Sequence, residues 1–244
     1  MTGWAVVVGA TGALGGAICA RLRKADLRVV GVARDAAALD ALDGVVPCPA
    51  DIGDDASVAH IREAVGGPVR IVVQAAGLPA SGPVDAVEPA ALGAAVALKA
   101  GGLLRLVRAV DSRLRPGSRI VALGGHYGSE PVPHACAAGL TNAALANLVR
   151  QLADHYGPRG ITVHLLAPGA VDTERLHRIA ATAAARRGVP VAEVFAGYRA
   201  ASPLGRLVTA EQVAWATALL LDPEADALHG ATLALDGGSR KGIF

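Results

Sequence analysis

Short apolar runs alternate with longer amphipathic segments along the whole chain. Several runs are rich in β-branched residues with little polar alternation, as in parallel strands that are covered on both faces. The predicted strands are residues 4–9, 28–33, 45–48, 69–74, 119–123, 162–166 and 232–235. The intervening segments predict helices at residues 14–25, 54–65, 90–114, 135–156 and 210–221. This strict alternation predicts an α/β fold with a doubly wound, seven-stranded parallel sheet and helices on both of its faces.

Two of the predicted helices begin at recognisable capping residues. Asp54 is a candidate N-cap for the helix at 54–65. Thr209, followed three residues later by Gln212, forms a candidate capping box for the helix at 210–221.

One long insertion interrupts the alternation. No linker or repeat divides the chain, so residues 1–244 are predicted to form a single domain, with an Arg- and Ala-rich insertion at residues 172–204. In a doubly wound sheet this insertion follows the carboxyl end of a strand, where ligands bind. We therefore predict that it is a substrate lid.

Composition excludes several classes of protein. Hydrophobic residues make up 52% of the 244 residues and charged residues 18%, which excludes global disorder. A net charge of +2 is too small for a nucleic-acid or anionic-membrane footprint. The basic residues are unevenly divided, because only Lys24, Lys99 and Lys241 are lysines.

The cysteines and the N-terminus predict a cytoplasmic protein. Cys19, Cys48 and Cys136 are odd in number and far apart, which favours a reducing compartment and argues against a disulfide framework or a metal site. No signal peptide is predicted. The uncharged stretch 132–149 contains Pro, His, Thr and Asn, so we interpret it as a buried helix, with no membrane partner.

A glycine-rich turn follows the first strand and opens the first helix. Residues 6–16 read Val-Val-Val-Gly-Ala-Thr-Gly-Ala-Leu-Gly-Gly. Glycines there permit a tight turn and let a pyrophosphate approach the helix N-terminus. This position in the first strand–helix unit predicts dinucleotide binding.

The order of further motifs resembles the short-chain dehydrogenase/reductase family in its single-domain form, over essentially the whole chain. Besides the glycine turn, in which Ala13 replaces the middle glycine, the matching segments are residues 50–52, 74–77, 157–163, 167–173 and 235–238. The resemblance implies a Rossmann-type fold and a nicotinamide cofactor. It places the cofactor contacts at Gly9, Thr11, Gly12, Ala13, Leu14, Gly15, Arg34, Asp51, Ile52, Ala75, Ala76, Gly77, Asn142, Pro168, Gly169, Val171 and Thr173.

The residue that follows the second strand bears on which cofactor is used. In this family an Arg at the position of Arg34 typically meets the 2′-phosphate of NADP, and a bidentate guanidinium suits that group. NADP(H) is therefore favoured over NAD(H). A surface arginine without a ligand is the alternative.

The family's four catalytic positions are all changed. Matching the chain backwards from Pro168 and Gly169 places the family's Tyr on Ala138 and its Lys on Asn142. The family's usual spacing then places its Ser on Gly125, and its Asn falls on Ala97. Neither Ala nor Gly can donate a proton.

Residues close to Gly125 in the sequence could replace the missing acid. His126, Tyr127 and His134 are candidates for the substrate pocket, and a His126 acid would titrate near neutrality. Simple pocket lining is the alternative for all three, and Cys136 is interpreted as a small buried thiol. Lys99 is expected to point along a helix interior, so that no lysine is available to lower the pKa of a tyrosine.

The sequence is compatible with three functions. The first is an NADPH-dependent ketoreductase that acts on a phenolic polycyclic ketone, a small-molecule aromatic substrate that protonates its own carbonyl; atypical ketoreductases of angucyclinone and simocyclinone biosynthesis are similar in lacking the four residues. The second is a catalytically silent subunit or ligand-binding scaffold. The third is a non-redox dehydratase or cyclase on the same fold. The resemblance also implies a homo-oligomer, a dimer or tetramer that packs through the helices at 90–114 and 135–156.

Overall fold

Seven parallel strands form the centre of the computed structural model, which describes residues 3–78 and 82–242. In the sheet they lie in the order β3-β2-β1-β4-β5-β6-β7. The strands are β1 Trp4–Val8, β2 Arg28–Ala33, β3 Val45–Pro49, β4 Val69–Gln74, β5 Leu114–Leu123, β6 Thr162–Pro168 and β7 Thr232–Leu235. The predicted Rossmann-type sheet is confirmed. Its winding direction reverses between β1 and β4, and ligands of such sheets bind at that point.

Helices are present in all the segments where they were predicted, but their bounds and number differ from the prediction. They are α1 Ala13–Lys24, α2 Ala36–Asp40, α3 Ser57–Ala64, α4 Pro89–Val96, α5 Gly102–Val110, α6 Cys136–Tyr156, α7 Glu174–Arg187, α8 Val191–Ala201 and α9 Ala210–Leu219. The short α2 was not predicted, and α7 and α8 occupy most of the insertion at 172–204. The prediction of a single helix at 90–114 is wrong in two respects. A π-helical turn, Ala97–Gly101, separates α4 from α5, and Leu114 already begins β5.

One of the two predicted caps is confirmed. Thr209 accepts the backbone N–H of Gln212, and the Gln212 side chain accepts the N–H of Thr209, which completes the capping box of α9. The Asp54 cap is wrong, because α3 begins three residues later, at Ser57. The Asp54 carboxylate instead accepts the Ala56 N–H at 2.9 Å, and so it closes the turn that precedes the helix.

The sheet is buried on both faces, since successive residues of a strand point to opposite sides. Val6 and Val8 pack with the apolar residues of α3, α5 and α6. Ala5 and Val7 pack on the other face with α1 and α9. This two-sided burial is why the strands are apolar without alternation.

One helical stretch is long and apolar enough to cross a membrane by length and composition alone. It is Pro89–Arg113, 25 residues with a mean hydropathy of 1.6. The same test is passed by core helices, and Leu103, Leu106 and Val110 of this stretch lie in the buried core. The stretch is therefore weak evidence for a membrane-spanning helix.

A buried histidine joins β6 to the C-terminal part of the chain. His164 is fully buried. Its Nε2 lies 2.8 Å from Thr162 Oγ1, and its Nδ1 lies 3.1 Å from the Leu228 carbonyl oxygen. Burial lowers the pKa of His164 to about 4, so the folded protein holds this ring neutral.

We expect the free energy of unfolding to fall as the pH drops from about 6.5 towards about 4. In that window the unfolded chain binds a proton at His164 that the folded chain does not, so acid favours unfolding, by up to ~3 kcal/mol. Urea unfolding across this range measures the loss. His164→Leu should flatten the dependence, whereas His60→Gln, at an exposed site, should keep it. Identical pH dependence in His164→Leu and the wild type would contradict the assignment.

Candidate active site

The glycine-rich turn after β1 forms a cradle that side chains would fill. Gly9 has a φ of +79°, and a Cβ there would lie 2.9 Å from the carbonyl carbon of Ala75. A Cβ at Gly15 would overlap the Gly9 carbonyl oxygen. Thr11, Gly12 and Ala13 are exposed at the carboxyl edge of the sheet, whereas Leu14 is half-buried. The turn therefore brings bare backbone to the edge where ligands of such sheets bind.

The N-terminus of α1 is open to an anion. Its N-cap is Gly12, no side chain caps it, and its first turn has no acidic residue. The first N–H groups of a helix lack partners within the helix, and the helix dipole favours negative charge there. This end fits a pyrophosphate, so the chain's own residues fit a dinucleotide.

The predicted adenosine contacts lie at the ends of neighbouring strands. Arg34 is exposed directly after β2. Asp35 caps α2 by accepting the Ala38 N–H at 3.0 Å. Beyond β3, Asp51 accepts the Gly53 N–H at 2.8 Å, and Ile52 is buried.

The predicted nicotinamide segments meet at the same edge of the sheet. The Ala75 N–H donates to the Val8 carbonyl oxygen at 3.0 Å, which holds the turn formed by Ala75, Ala76 and Gly77 against the glycine cradle. On the other side, Gly169 donates to Leu235, Val171 bridges to Val208, and Thr173 caps α7; Pro168 ends β6.

The positions of the missing Ser and Lys lie side by side. A Cβ at Gly125 would be 2.9 Å from Asn142 Nδ2, and Asn142 is buried in α6. Ala138 lies in the first turn of α6, and Ala97 opens the π-helical turn. The two sequence positions therefore lie together in space, although neither carries an acid.

The three candidate pocket residues form a ring cluster beside Gly125. The His126 and Tyr127 rings are 4.1 Å apart between centroids, and the Tyr127 and His134 rings 5.8 Å. Burial lowers the pKa of His126, although Asp236, Glu130 and the Pro168 carbonyl oppose the shift. Burial, with Tyr198 nearby, raises the pKa of Tyr127. Both shifts favour uncharged rings near neutral pH.

Two cations that sequence reasoning did not place here approach the site. The Lys99 side chain does not run along the helix interior as expected: its Nζ donates to the Leu123 carbonyl oxygen at 2.6 Å, at the end of β5. Arg175 of α7 donates from Nη2 to the Leu78 carbonyl oxygen at 2.9 Å. The available signal was the scarcity of lysine, because Lys99 is one of only three lysines and is preceded by the uncharged stretch 89–98.

Metal-binding residues do not cluster in the described ranges. Within residues 3–78 and 82–242, no group of three or more His, Cys, Asp or Glu side chains could hold an ion. Cys19, Cys48 and Cys136 are free thiols.

Comparison with known proteins gives matches along most of the chain. A family model described as enoyl-(acyl carrier protein) reductase matches residues 9–240. An uncharacterized short-chain type dehydrogenase/reductase of Sinorhizobium fredii is 35% identical over 137 residues, which are 56% of this chain and 24% of that protein. The NADPH-dependent reductase BacG of Bacillus subtilis is 29% identical over 125 residues, 51% of this chain and 48% of BacG. The chain thus spans about a quarter of the first relative and about half of the second.

Two further matches extend over nearly full length. Galactitol 2-dehydrogenase (L-tagatose-forming) of Cereibacter sphaeroides is 30% identical over 246 residues, covering 96% of this chain and 93% of that enzyme. A crystal structure of an oxidoreductase of the short chain dehydrogenase/reductase family from Burkholderia thailandensis superposes with a TM-score of 0.84 at 28% identity, over 99% of this chain and 94% of the other. With the matching motifs, sheet order and cofactor cradle, these similarities show that the chain belongs to the short-chain dehydrogenase/reductase family.

Proposed function

We propose that this chain is an NADPH-dependent ketoreductase that reduces a phenolic polycyclic, polyketide-like ketone whose own phenol supplies the proton. The observation that carries the proposal is an intact cofactor cradle beside an acid–base site reduced to Gly125, Ala138 and Asn142. The similar protein BacG is named an NADPH-dependent reductase, which supports reduction with NADPH as the reaction.

The adenosine end supports NADP(H) over NAD(H). Arg34 is exposed and, within the part of the chain that the structure describes, makes no ion pair. The neighbouring Asp35 carboxylate accepts the Ala38 N–H and caps α2. A 2′-phosphate would meet a free guanidinium.

When bound, a reduced nicotinamide supplies a hydride to a carbonyl carbon. The π electron pair of the carbonyl then moves to its oxygen, which must gain a proton. In a ketone with an ortho or peri phenol, that oxygen takes the phenol proton, and water returns a proton to the phenolate. The chain's residues bind and orient the ligand, a contribution of roughly 7–11 kcal/mol that does not depend on an acid.

The environment of the ring cluster favours this route over a relocated acid. His126 has a lowered pKa, so its imidazole carries no extra proton near neutral pH. Tyr127 has a raised pKa and releases its proton reluctantly. We therefore assign His126, Tyr127 and His134 to the substrate pocket.

Residues 172–204 complete the proposed site. We propose that α7 and α8 form the substrate lid, because Tyr198 of α8 lies close enough to Tyr127 to influence its pKa. We further propose a cytoplasmic homo-oligomer that packs through α4, α5 and α6, without a nucleic-acid or membrane partner.

A matched pair of substrates tests the proposed function. Purified protein with NADPH is offered hydroxyanthraquinone-type ketones and the corresponding methyl ethers, which lack the phenol proton. The free phenols should be reduced, and the ethers should react ~10²–10⁴-fold more slowly, as expected for loss of a positioned acid. No loss of NADPH absorbance and no reduced product would overturn the proposal. Tight NADPH binding without turnover would favour a ligand-binding scaffold. Activity in the absence of the cofactor would favour a non-redox reaction.

Replacing His126 by Ala and Tyr127 by Phe separates substrate assistance from a relocated acid. We expect kcat to fall less than about 10-fold in each variant, because neither ring supplies the proton, whereas loss of an acid costs ~10²-fold or more. Initial rates on the phenolic ketone measure the change. KM rather than kcat should move, since both rings line the pocket. A loss of kcat beyond about 100-fold would identify the altered residue as the acid.

A further inference from the structure

Lys99 occupies an unusual turn at the rear of the site. It lies within the π-helical turn Ala97–Gly101, and such turns are frequent at functional sites. The Gln74 side chain satisfies the backbone there, because its Nε2 donates to the carbonyl oxygens of Leu98 at 3.2 Å and Lys99 at 3.4 Å. The turn is thus held from β4, at the edge that carries the cofactor motifs.

The Lys99 ammonium is buried with most of its donors unused. The residue is 6% exposed, and its Nζ makes one hydrogen bond among the described residues, to Leu123. An ammonium has three N–H donors. Leu123 lies two residues before Gly125, the position of the missing Ser. The Nζ therefore lies at the carboxyl end of β5 with two donors that are not bonded to a described residue.

Within residues 3–78 and 82–242, no carboxylate acts on the Lys99 ammonium to raise its pKa. Arg175 of α7 is the charged group that acts on it, and together with burial it lowers the pKa of Lys99 to about 8. The helices packed on the π-helical turn are α4, α5 and α6, and their ion-paired charges are engaged elsewhere, Arg105 with Asp55 and Arg150 with Asp154. Arg108 of α5 and His155 of α6 do not contribute to the Lys99 shift.

We propose that Lys99 is the cation of this reductive site, with its free N–H groups donating to an oxygen of a bound ligand. The inference rests on the proposed function. It gives Lys99 the electrostatic role that Asn142 cannot fill at the family's lysine position. The acceptor oxygen has two possible sources: a hydroxyl of the nicotinamide ribose, or the substrate oxygen on which negative charge develops.

If the only role of Lys99 were to satisfy the Leu123 carbonyl oxygen, a neutral hydrogen-bond donor would be sufficient. The Leu123 carbonyl requires a donor because it lies where β4 has already ended, and a side-chain amide could provide one. Burying an ammonium without a partner carboxylate is costly. A ligand oxygen that accepts hydrogen bonds from the other N–H groups would offset this cost. A neutral side-chain amide would not incur the cost in the first place.

The first test follows the Lys99 proton directly. Protein labelled with ¹³C at lysine Cε has three lysine signals, which Lys24→Arg and Lys241→Arg variants assign. The Lys99 signal should titrate near pH 8. Saturating NADPH should raise its midpoint by about one unit, a tenfold change in proton affinity, if the acceptor is on the cofactor.

The second test separates the two sources of the acceptor. Lys99→Gln should keep the bond to Leu123 and lose the charge, while Lys99→Arg should keep the charge. If the acceptor is a ribose hydroxyl, Lys99→Gln raises the Kd for NADPH about 10-fold or more. If it is the substrate oxygen, kcat falls about 100-fold with the Kd unchanged. In either case the alkaline limb of kcat/KM near pH 8 should disappear in Lys99→Gln and move upward in Lys99→Arg.

The outcomes distinguish this inference from the proposed function. Lys24→Gln, at an exposed position of α1, is the matched control and should match the wild type. A Lys99 midpoint unmoved by NADPH, together with wild-type Kd, kcat and pH profile in Lys99→Gln, would overturn the inference. If no ketone is reduced, the ketoreductase proposal fails, and the NADPH titration and the Kd alone decide the role of Lys99. Equal rates of ketone reduction and an equal Kd for NADPH in the wild type and Lys99→Gln would overturn only the role of Lys99.

Discussion

Gly15→Ala is expected to lose most of its affinity for NADPH and part of its stability. The added Cβ would overlap the Gly9 carbonyl oxygen and lie 2.9 Å from the Ala10 Cα, and both are backbone atoms that cannot rotate away. Relieving such overpacking costs ~1–3 kcal/mol, and the turn that must shift is the one that receives the pyrophosphate. A loss of this size corresponds to roughly 10–100-fold in Kd. NADPH fluorescence titration measures the affinity, and urea unfolding measures the stability.

The adjacent glycine provides the control. A Cβ at Gly16 would lie 3.6 Å from the Ala10 carbonyl oxygen, an ordinary contact. Gly16→Ala should therefore bind NADPH like the wild type, and it should be ~0.5–1 kcal/mol more stable because alanine favours the helix. Equal NADPH affinity in the two variants would show that the cradle at Gly9 and Gly15 does not receive the cofactor.

Arg119→Met is expected to lower the free energy of unfolding by ~2–5 kcal/mol. Arg119 of β5 is 2% exposed. Its Nε donates to the Leu220 carbonyl oxygen at 2.5 Å, and its Nη2 lies 2.8 Å from Asp226 Oδ1 and 3.2 Å from the Asp222 carbonyl oxygen. Methionine fills part of the volume but leaves those carbonyls without this donor. Since Leu220 and Asp222 follow α9, the loss should loosen the C-terminal segment against the sheet.

A surface arginine provides the comparison. Arg178 faces Glu174 at 3.7 Å, and both side chains are largely exposed, so Arg178→Met should cost at most ~1 kcal/mol. Urea midpoints of the two variants, measured side by side, give the difference. Equal losses would mean that the buried contacts of Arg119 contribute no more than a surface pair.

The central strands β1, β4 and β6 were predictable because each is a largely apolar run that is buried on both faces. Thr209 with Gln212 marked the start of α9 for a similarly local reason, since a capping box lies within four consecutive residues. The start of α3 was misplaced because Asp54 can close a turn as well as cap a helix, and sequence does not separate the two. The π-helical turn at Ala97–Gly101 was missed because it depends on Gln74, which is more than twenty residues away and belongs to β4.

The candidate site divides in the same way. The glycine cradle follows from residues 9–15 alone, and the family resemblance placed Gly125 and Asn142 before the structure brought them together. Arg175 could not be placed from sequence, because its position depends on how α7 packs over the turn after β4. Lys99 was expected along a helix interior, and only the fold gives its ammonium the Leu123 carbonyl as a partner.

By itself, the sequence determined the order of the seven strands along the chain and the glycine-rich turn, because each of these is encoded in short segments. The absence of the family's acid–base residues stays a prediction, since it rests on matching the chain to the family's motifs. The tertiary structure alone decided which charges face the crevice. It set Lys99 at the end of β5 and Arg175 over the turn after β4. It also partly buried the rings of His126 and Tyr127, which lowers the pKa of His126 and raises the pKa of Tyr127. Those features arise from burial and from contacts between distant segments, and they exist only once the chain has folded.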